Sequence, residues 1–384
     1  MTVLKKDLLR RVKRVVIKVG SSVLTGGSDV LQRRVFNNIA GCIARLLKRG
    51  HEVVLVSSGA IAAGKRSLHC VERPTSIPEK QASAAIGQVR LMAQYESCFR
   101  RYHQQIAQVL LTSDDLSDRK KFLNARNTLF TLLHCGIIPI INENDSVVVD
   151  EIRFGDNDVL SALVTNLIDA DLLLILTDKE GLFDRDPEQC KNARLIKLVE
   201  EVGCRIKECA QGTASKLGTG GMQSKVDAAE KASLFGIPTI IVKGSTRKII
   251  SRVFAGEDVG TLFLPRTSAL SSRKHWIAFN LKPRGTLVVD DGARRAIVEK
   301  GKSLLSSGLL SVTGSFTFGD AVSCVDRNGF EFARGLVNYT AEEVMKIKGL
   351  QSRDIEKVLG YKDYDEIIHR DDLVVLEDLI HGKP

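Results

Sequence analysis

Small polar and acidic residues follow four of the apolar runs in this chain. The clusters are Lys18-Val19-Gly20-Ser21-Ser22, Ser57-Ser58-Gly59-Ala60, Asn142-Glu143-Asn144-Asp145 and Thr177-Asp178. Ligands of open parallel α/β sheets bind beyond the carboxyl ends of the strands. Small residues at such turns let backbone N–H groups come close to a phosphate or a carboxylate. Four clusters on one sheet edge therefore predict a binding site for an anionic ligand.

Two lysines accompany these turns. Lys18 lies in an otherwise apolar run, where a buried ammonium group needs an anion, unless the side chain extends to the surface. Three glycines in the segment 218–224 precede Lys225 at the start of a predicted helix. This segment lacks the Walker A spacing, as does Gly301-Lys302-Ser303. It is either a flexible surface loop or a phosphate site with amide donors, a positive helix end and a mobile ammonium group.

The motif Gly155-Asp156-Asn157-Asp158 opens another predicted helix. Asp and Asn are favoured helix N-caps, so helix capping is one explanation. Two carboxylates that flank an amide exceed what a cap requires. Near two lysines and a triphosphate, such carboxylates would position ammonium groups or bind Mg²⁺.

The elements that must position these residues alternate between strand and helix. Continuous apolar, β-branched runs predict buried strands at 14–19, 52–56, 108–111, 137–141, 171–176 and 238–242. Helices are predicted between them at 37–48, 81–102, 127–133, 159–168 and 225–234. This order predicts an α/β fold over residues 1–262, with a mostly parallel sheet sandwiched by helices.

The pattern changes after residue 262. Residues 263–282 are predicted to form a linker. Glycine-punctuated runs at 286–289, 311–318, 321–325 and 330–337 then predict short strands. Such strands indicate a small, mainly β domain over 283–361. The charged segment 362–384 is predicted to be a C-terminal tail that is at best partly ordered.

Composition limits the class of protein. The 384 residues are 43% hydrophobic, which allows one large and one smaller domain. The net charge is +10, yet residues 266–384 contain 18 basic and 17 acidic residues. The positive excess thus belongs to the first domain, where it suits an anionic ligand or forms a solvated basic surface.

Cellular location and redox state follow from simple patterns. No apolar run approaches the roughly 18 residues of a membrane span, and the basic N-terminus lacks the apolar region of a signal peptide. We therefore expect a cytoplasmic protein without membrane association. The eight cysteines include no C-x-x-C pair, so we expect reduced thiols and no structural zinc.

Together the motifs resemble the amino-acid kinase family, in particular its glutamate 5-kinase branch. The resemblance depends on six motifs in order: the four clusters above, Gly155 to Asp158, and Gly218-Thr219-Gly220-Gly221-Met222. The small domain resembles the PUA domain of bacterial members through Gly285-Thr286-Leu287, Gly292-Ala293 and Ser311-Val312-Thr313-Gly314. The resemblance implies phosphoryl transfer from ATP, with Mg²⁺, to the γ-carboxylate of L-glutamate. The implied product is L-glutamyl 5-phosphate, and the reaction is the first step of proline biosynthesis.

The resemblance also implies a role for individual positions. The implied catalytic residues are Lys18, Asp158 and Lys225, with Asp158 organising the two lysines. The implied glutamate-binding residues are Ser58, Asp145, Asn157 and Asp156. The implied ATP-binding residues are Lys18, Gly20, Ser21, Thr177, Asp178, Thr219, Gly220, Gly221, Met222, Gln223, Ser224 and Lys225. No residue is assigned to a metal, because Mg²⁺ is expected to bind mainly through the ATP phosphates. Ser224 departs from the threonine expected there but keeps the hydroxyl group.

Partners and alternatives complete these expectations. The resemblance implies feedback inhibition by proline, a homo-oligomer (dimer or tetramer) and hand-over of the product to glutamyl phosphate reductase. A sister kinase acting on N-acetylglutamate, aspartate, carbamate or UMP is one alternative, disfavoured by Gly155–Asp158 and by the second domain. An RNA-binding role through the PUA domain is another. It is disfavoured because that domain is nearly neutral, whereas phosphate-reading surfaces are strongly basic.

Overall fold

The chain contains two compact units. The computed structural model describes residues 2–28, 30–65, 76–147, 157–190, 192–211, 221–265, 277–278 and 281–376. The first unit comprises Met1–Asp115 and Leu123–Arg266, and the second comprises Leu116–Phe122 and Thr267–Pro384. No helix in the described ranges combines the length and the apolarity needed to cross a membrane.

An eight-stranded sheet forms the centre of the first unit. Its strands are β1 (Arg14–Val19), β2 (Glu52–Ser57), β3 (Ile106–Leu111), β4 (Ile138–Glu143), β5 (Leu172–Thr177), β6 (Leu198–Val199), β7 (Thr239–Lys243) and β8 (Thr261–Phe263). The strand order is β3-β4-β2-β1-β5-β7-β8-β6. Neighbouring strands are parallel except β7 and β8, which are antiparallel. The predicted mostly parallel sheet is confirmed.

Helices precede and follow these strands. They are α1 (Thr2–Arg11), α2 (Ser21–Thr25), α3 (Arg33–Leu47), α4 (Ala60–Gly64), α5 (Ile77–Arg100), α6 (Ser113–Ser117), α7 (Arg119–His134), α8 (Asn157–Leu167), α9 (Cys204–Gln211), α10 (Met222–Leu234) and α11 (Ile249–Phe254). The five predicted helices correspond to α3, α5, α7, α8 and α10, with bounds within four residues except at α7, which begins eight residues earlier than predicted. The basic N-terminus, considered above only as a non-signal sequence, forms α1, and buried Lys5 anchors it by donating to the carbonyl oxygens of Glu257 and Val259.

The central strand β1 aligns the ends of its two neighbours. Val19 is opposite Ser57 of β2 and opposite Leu176 of β5. All six residues of β5 are buried, as are five of the six in β1, which explains why these runs show no polar alternation. The register therefore brings the polar residues after β1, β2 and β5 to one edge of the sheet.

A close helix crossing holds the turn after β2. A Cβ atom on Gly64 of α4 would lie 1.8 Å from the carbonyl oxygen of Ser83, and one on Gly87 of α5 would lie 1.8 Å from that of Ala60. Only glycine permits this approach of two backbones. The buried Tyr95 hydroxyl, also on α5, lies 2.9 Å from Ser57 Oγ. Helix α5 is thus fixed at two points against the segment that carries Ser58.

The second unit contains a five-stranded sheet. Its elements are β9 (Gly285–Val289), α12 (Asp291–Lys300), β10 (Leu309–Gly314), β11 (Ala321–Val325), β12 (Glu331–Leu336), α13 (Ala341–Ile347), α14 (Ile355–Leu359) and β13 (Leu373–Val375), in the strand order β10-β9-β11-β12-β13. Its own core includes Leu287, Phe332 and Ile367. The small, mainly β domain expected from the sequence is therefore present.

The C-terminal segment differs from its prediction. Strand β13 pairs antiparallel with β12, and both Ile367 and Ile368 are buried. The segment 362–384 therefore adds a strand to the second sheet and buried residues to its core, although it was predicted to be a tail. The strand was missed because it has only three residues and because charged residues flank the few apolar ones in the sequence. Of the predicted linker, Phe263 ends β8, while 266–276 and 279–280 lie outside the described residues.

Candidate functional site

Backbone hydrogen bonds fix the turns at the carboxyl edge of the first sheet. The amide of Gly20 donates to the carbonyl oxygen of Leu176 at 3.2 Å, and the amide of Ser58 donates to that of Val19 at 3.1 Å. The amide of Gly244 donates to the carbonyl oxygen of Thr177 at 2.7 Å. Each bond joins the end of one strand to the turn after its neighbour, so the turns form one continuous rim.

A buried carboxylate holds two lysines below this rim. Asp158, in the first turn of α8, is fully buried and forms ion pairs with Lys18 of β1 and Lys225 of α10. Lys225 Nζ lies 3.0 Å from Asp158 Oδ2, while Lys18 contacts Oδ1. The lysine side chains are only 4% and 6% exposed. Two ammonium groups thus meet at one buried carboxylate, an arrangement that favours the binding of an anion.

The start of α10 adds donors to this centre. Ser224 Oγ lies 2.9 Å from Asp158 Oδ2 and 3.0 Å from the carbonyl oxygen of Gly221, while Lys225 Nζ donates to that same carbonyl oxygen at 3.1 Å. Helix α10 has 13 residues, so the positive end of its dipole lies beside both lysines. This combination of amide groups, dipole and ammonium groups suits phosphate oxygens.

A chain of side-chain amides lies beside the lysine pair. Asn157 Nδ2 donates to Ser58 Oγ and to Asn142 Oδ1, both at 3.0 Å. Asn142 Nδ2 donates in turn to Gln88 Oε1 at 2.8 Å. Asn142 and Gln88 are buried. These side chains could form neutral hydrogen bonds to a polar ligand that lies next to the two lysines.

Asp145 lies two residues beyond β4. Burial raises the pKa of its carboxyl group to about 6, from the ordinary 3.8. A carboxylate held in such surroundings gains most from a cationic partner, because an opposite charge offsets the cost of burial. An ammonium group of a small ligand would supply that partner.

Two family models match the chain. The model described as "Amino acid kinase family" matches residues 13–243, which is more than half of the chain, and the model described as "PUA domain" matches 285–359. Proteins named "Glutamate 5-kinase" are 52% identical in Syntrophus aciditrophicus (97% of this chain, 96% of that one) and 53% identical in Syntrophotalea carbinolica (97% and 100%). The chain belongs to the glutamate 5-kinase branch of the amino acid kinase family. A solved carbamate kinase from Giardia lamblia bound to AMP-PNP is 18% identical, with a TM-score of 0.49 over 66% of this chain and 99% of that one, a likeness too low to support a functional conclusion.

The kinase fold brings most of the expected site residues together. Lys18, Asp158, Lys225 and Ser224 share one hydrogen-bonded centre, and Ser58 and Asn157 share the amide chain. Gly20 and Ser21 form the turn into α2, and Gly221 precedes α10. Thr177 is buried at the end of β5, and its hydroxyl group lies 3.0 Å from Oδ1 of the exposed Asp178.

Other expected residues are less directly placed. The side chain of Met222 is buried, and Gln223 Nε2 donates to Asp227 Oδ1 at 2.7 Å along α10. In this arrangement the backbone amides of these two residues, rather than their side chains, lie at the helix start. Asp156, Thr219 and Gly220 lie outside the described residues.

Sequence reasoning missed two members of the amide chain. Asn142 was recognised within a motif but given no role in the site, and Gln88 was not recognised at all. Gln88 and Asn142 are separated by 54 positions in the sequence. Gln88 lies inside the long α5, where a single glutamine carries no local indication of its partner. The one local sign is the adjacent Gly87, because a glycine is needed where this turn of α5 packs closely against the backbone of Ala60.

Proposed function

We propose that this kinase transfers the γ-phosphoryl group of ATP to the γ-carboxylate of L-glutamate, forming L-glutamyl 5-phosphate and ADP, the first step of proline biosynthesis. The observation that carries the proposal is the buried pair of lysines on Asp158, next to the hydrogen-bonded side chains of Ser58 and Asn157. The relatives named glutamate 5-kinase, at about half identity over nearly the whole chain, support the choice of acceptor. Within the predicted domain division, residues 1–262 carry the reaction.

The residue types fit this chemistry. A carboxylate is already ionised near neutral pH, so its attack on phosphorus needs no general base. Phosphoryl transfer depends on positioning and on neutralising charge at the transferred group. Lys18 and Lys225 would contact phosphate oxygens and stabilise the charge that moves during transfer, while Asp158 holds both ammonium groups in place.

The nucleotide would lie along the rim from Gly20 to α10. Gly20, Ser21, Thr177, Asp178 and the segment 219–225 are the proposed ATP-binding residues. Mg²⁺ would bridge phosphate oxygens and neutralise part of their charge. Because Asp158 is already paired with two lysines, we propose that the ion enters with the ATP phosphates rather than on a protein carboxylate.

Glutamate would be held by Ser58, Asp145 and Asn157, and Asp156 is proposed to lie near it. The partly buried carboxylate of Asp145 is the proposed partner of the substrate ammonium group. This pairing would disfavour acids that lack an amino group, because they would leave the Asp145 carboxylate without a counter-charge.

The decisive experiment measures ATP turnover by the purified protein with Mg²⁺ and hydroxylamine. Hydroxylamine traps an acyl phosphate as a hydroxamate, which iron salts colour. We expect hydroxamate with L-glutamate and none with aspartate, N-acetylglutamate or no acceptor. Hydroxamate with a different acceptor would overturn the substrate assignment, and no turnover with any acceptor would overturn the proposed reaction.

The titration of Asp145 predicts how glutamate binding depends on pH. Its raised pKa, about 6, means that the carboxylate accepts a proton as the pH falls through 6 and loses its attraction for an ammonium group. We expect kcat/KM for glutamate to fall by about tenfold per pH unit below 6, with the KM for ATP much less affected. In Asp145→Asn, kcat/KM for glutamate should be low at every pH and should show no further fall below pH 6. If the variant still showed this fall, the titrating group would be a residue other than Asp145.

Further partners are proposed on the same basis. Proline, which also carries an α-ammonium group and a carboxylate, is a proposed inhibitor at the glutamate-binding residues. Asp145→Asn should then weaken inhibition by proline together with glutamate binding, and unchanged inhibition would contradict a shared site.

Direct hand-over of the acyl phosphate to glutamyl phosphate reductase is also proposed. This proposal would be contradicted if added reductase did not change the lifetime of the acyl phosphate. We also propose a cytoplasmic location, which fractionation of cells would test.

A homo-oligomer is proposed from the edge of the first sheet. Strand β3 is at the end of the strand order, and the side chains of Val89 on α5 and Leu110 on β3 are 72% and 37% exposed. Edge strands and exposed apolar residues are common in contacts between chains. Light scattering that shows a monomer at micromolar concentration would contradict this proposal.

A further inference from the structure

A third lysine lies at the carboxyl edge of the first sheet, on the same face as Lys18. Lys243 is the last residue of β7 and is opposite Thr177 of β5 in the register of the sheet. Lys18 of β1 is opposite Ile175, two residues before Thr177. Because alternate residues of a strand share a face, the side chains of Lys18, Thr177 and Lys243 point to one side of the sheet. Helix α8 covers this side, since Lys18 contacts Asp158 there.

The opposite side of these strands is filled by the hydrophobic core. Leu176 of β5 and Val242 of β7 are both buried in that core, so the alternation of β7 directs Lys243 away from it. The next residue, Gly244, is packed tightly: a Cβ atom there would lie 2.7 Å from Val23 Cγ1 of α2. Its amide is also bonded to the end of β5. The backbone that carries Lys243 is therefore fixed at the rim.

The ammonium group of Lys243 differs from those of the other two lysines. Lys18 and Lys225 both pair with Asp158, whereas Lys243 forms no ion pair or hydrogen bond with a described residue. Its side chain is only partly exposed. A partly buried ammonium group without a counter-ion gains most from an anion that supplies charged acceptors.

The order of the strands separates the two substrates along this edge. Ser58 follows β2, Lys18 lies in β1, and Thr177 and Lys243 end β5 and β7, which are successive strands of the sheet. The proposed acceptor lies on the side of Ser58, and the γ-phosphoryl group lies at the lysine pair. In phosphoryl transfer the attacking and leaving oxygens are roughly in line through phosphorus. The rest of the nucleotide would therefore extend from the lysine pair toward β5 and β7, where Lys243 lies.

We propose that Lys243 binds the α- and β-phosphates of the nucleotide, the two phosphates that ATP and ADP share. The proposal rests on the proposed function and adds to it a cation that holds the nucleotide without acting on the transferred group. The γ-phosphoryl group stays with Lys18 and Lys225. Because the contacts of Lys243 are the same before and after the transfer, they strengthen nucleotide binding and leave the rate of the chemical step unchanged.

The test measures nucleotide affinity in Lys243→Met, which removes the charge and keeps an unbranched side chain. Calorimetry gives the Kd of ADP without any acceptor, so this result does not depend on which acid the protein phosphorylates. Hydroxamate formation by the unaltered protein tests the proposed function separately. We expect the Kd of ADP and the KM for ATP each to rise about tenfold, the usual scale for losing a charge-assisted hydrogen bond. The inhibition constant of adenosine and kcat should change by less than about threefold.

Two further variants serve as controls. Lys243→Arg keeps the positive charge, so the Kd of ADP should stay within about threefold of the original. Lys231→Met is the matched control, because Lys231 is another partly exposed lysine of the first unit and contacts none of the site residues described above. Its Kd for ADP should stay within about twofold of the original.

The outcomes separate phosphate binding from other roles of Lys243. Weaker binding of ATP and ADP alike in Lys243→Met, with affinity kept in Lys243→Arg, supports the proposal. Equal weakening of ADP and adenosine would show that Lys243 acts on the nucleoside or on the shape of the site, and would overturn it. Weakening of ATP alone, an unchanged Kd of ADP, or a fall of kcat by about 10²-fold would overturn it as well.

Discussion

Lys225→Met is expected to lower kcat by about 10²–10³-fold, the usual effect of removing a group that stabilises charge in the transition state. Lys225 is 6% exposed, and its ammonium group pairs with Asp158 beside the start of α10. In the proposed reaction, a fixed positive charge at this position would lower the energy of the transition state more than that of bound ATP. The KM for ATP should therefore change much less than kcat.

The fold should survive this substitution. Two lysines share one carboxylate, so removal of Lys225 leaves the ion pair of Lys18 with Asp158 in place. Lys231→Met is the matched control, because Lys231 lies on the same α10 helix and burial lowers the pKa of its ammonium group, yet it contacts none of the site residues described above. Its kcat should stay within about twofold of the original. Steady-state rates of hydroxamate formation give both values. A similar loss of kcat in the two variants would contradict a specific role for Lys225.

Much of the sheet was predictable because its strands are buried on both faces. A run such as Leu172–Thr177 must be apolar at every position, so periodicity is not needed to recognise it. Strands β6 and β8 were not predicted. They have two and three residues, too few to show a sequence pattern. They form strands because β8 pairs with the backbone of β7 and β6 pairs in turn with β8.

The lysine centre was predictable for a different reason. Lys18 breaks an apolar run, and a charge there must have a partner, which the structure provides in Asp158. The resemblance, rather than the residues alone, indicated which carboxylate that would be. Gln88 could not be predicted, because its contribution depends on a helix crossing and on a partner far away in the sequence. A polar residue in an amphipathic helix is usually solvent-exposed, and nothing local distinguishes this one.

Asp158→Asn is expected to lower the free energy of unfolding by about 3–5 kcal/mol, the usual cost of removing one partner of a buried ion pair. The carboxylate is fully buried and is the shared counter-ion of Lys18 and Lys225. Its replacement leaves two ammonium groups close together in a poorly solvated place. The same change should lower kcat by about 10²-fold or more, because both lysines lose the group that positions them.

An added polyanion should recover part of the stability lost in Asp158→Asn. Inorganic triphosphate would supply negative charge to both lysines, so its binding should raise the unfolding temperature of the variant more than that of the original protein. Asp169→Asn is the control, since Asp169 lies beyond the other end of α8 and its partly exposed ion pair with Arg126 predicts a loss of at most about 1 kcal/mol. Chemical denaturation and thermal melts with and without triphosphate measure these effects. Equal losses in the two variants, or a variant that triphosphate does not stabilise, would show that Asp158 does not balance the charge of a phosphate-binding lysine pair.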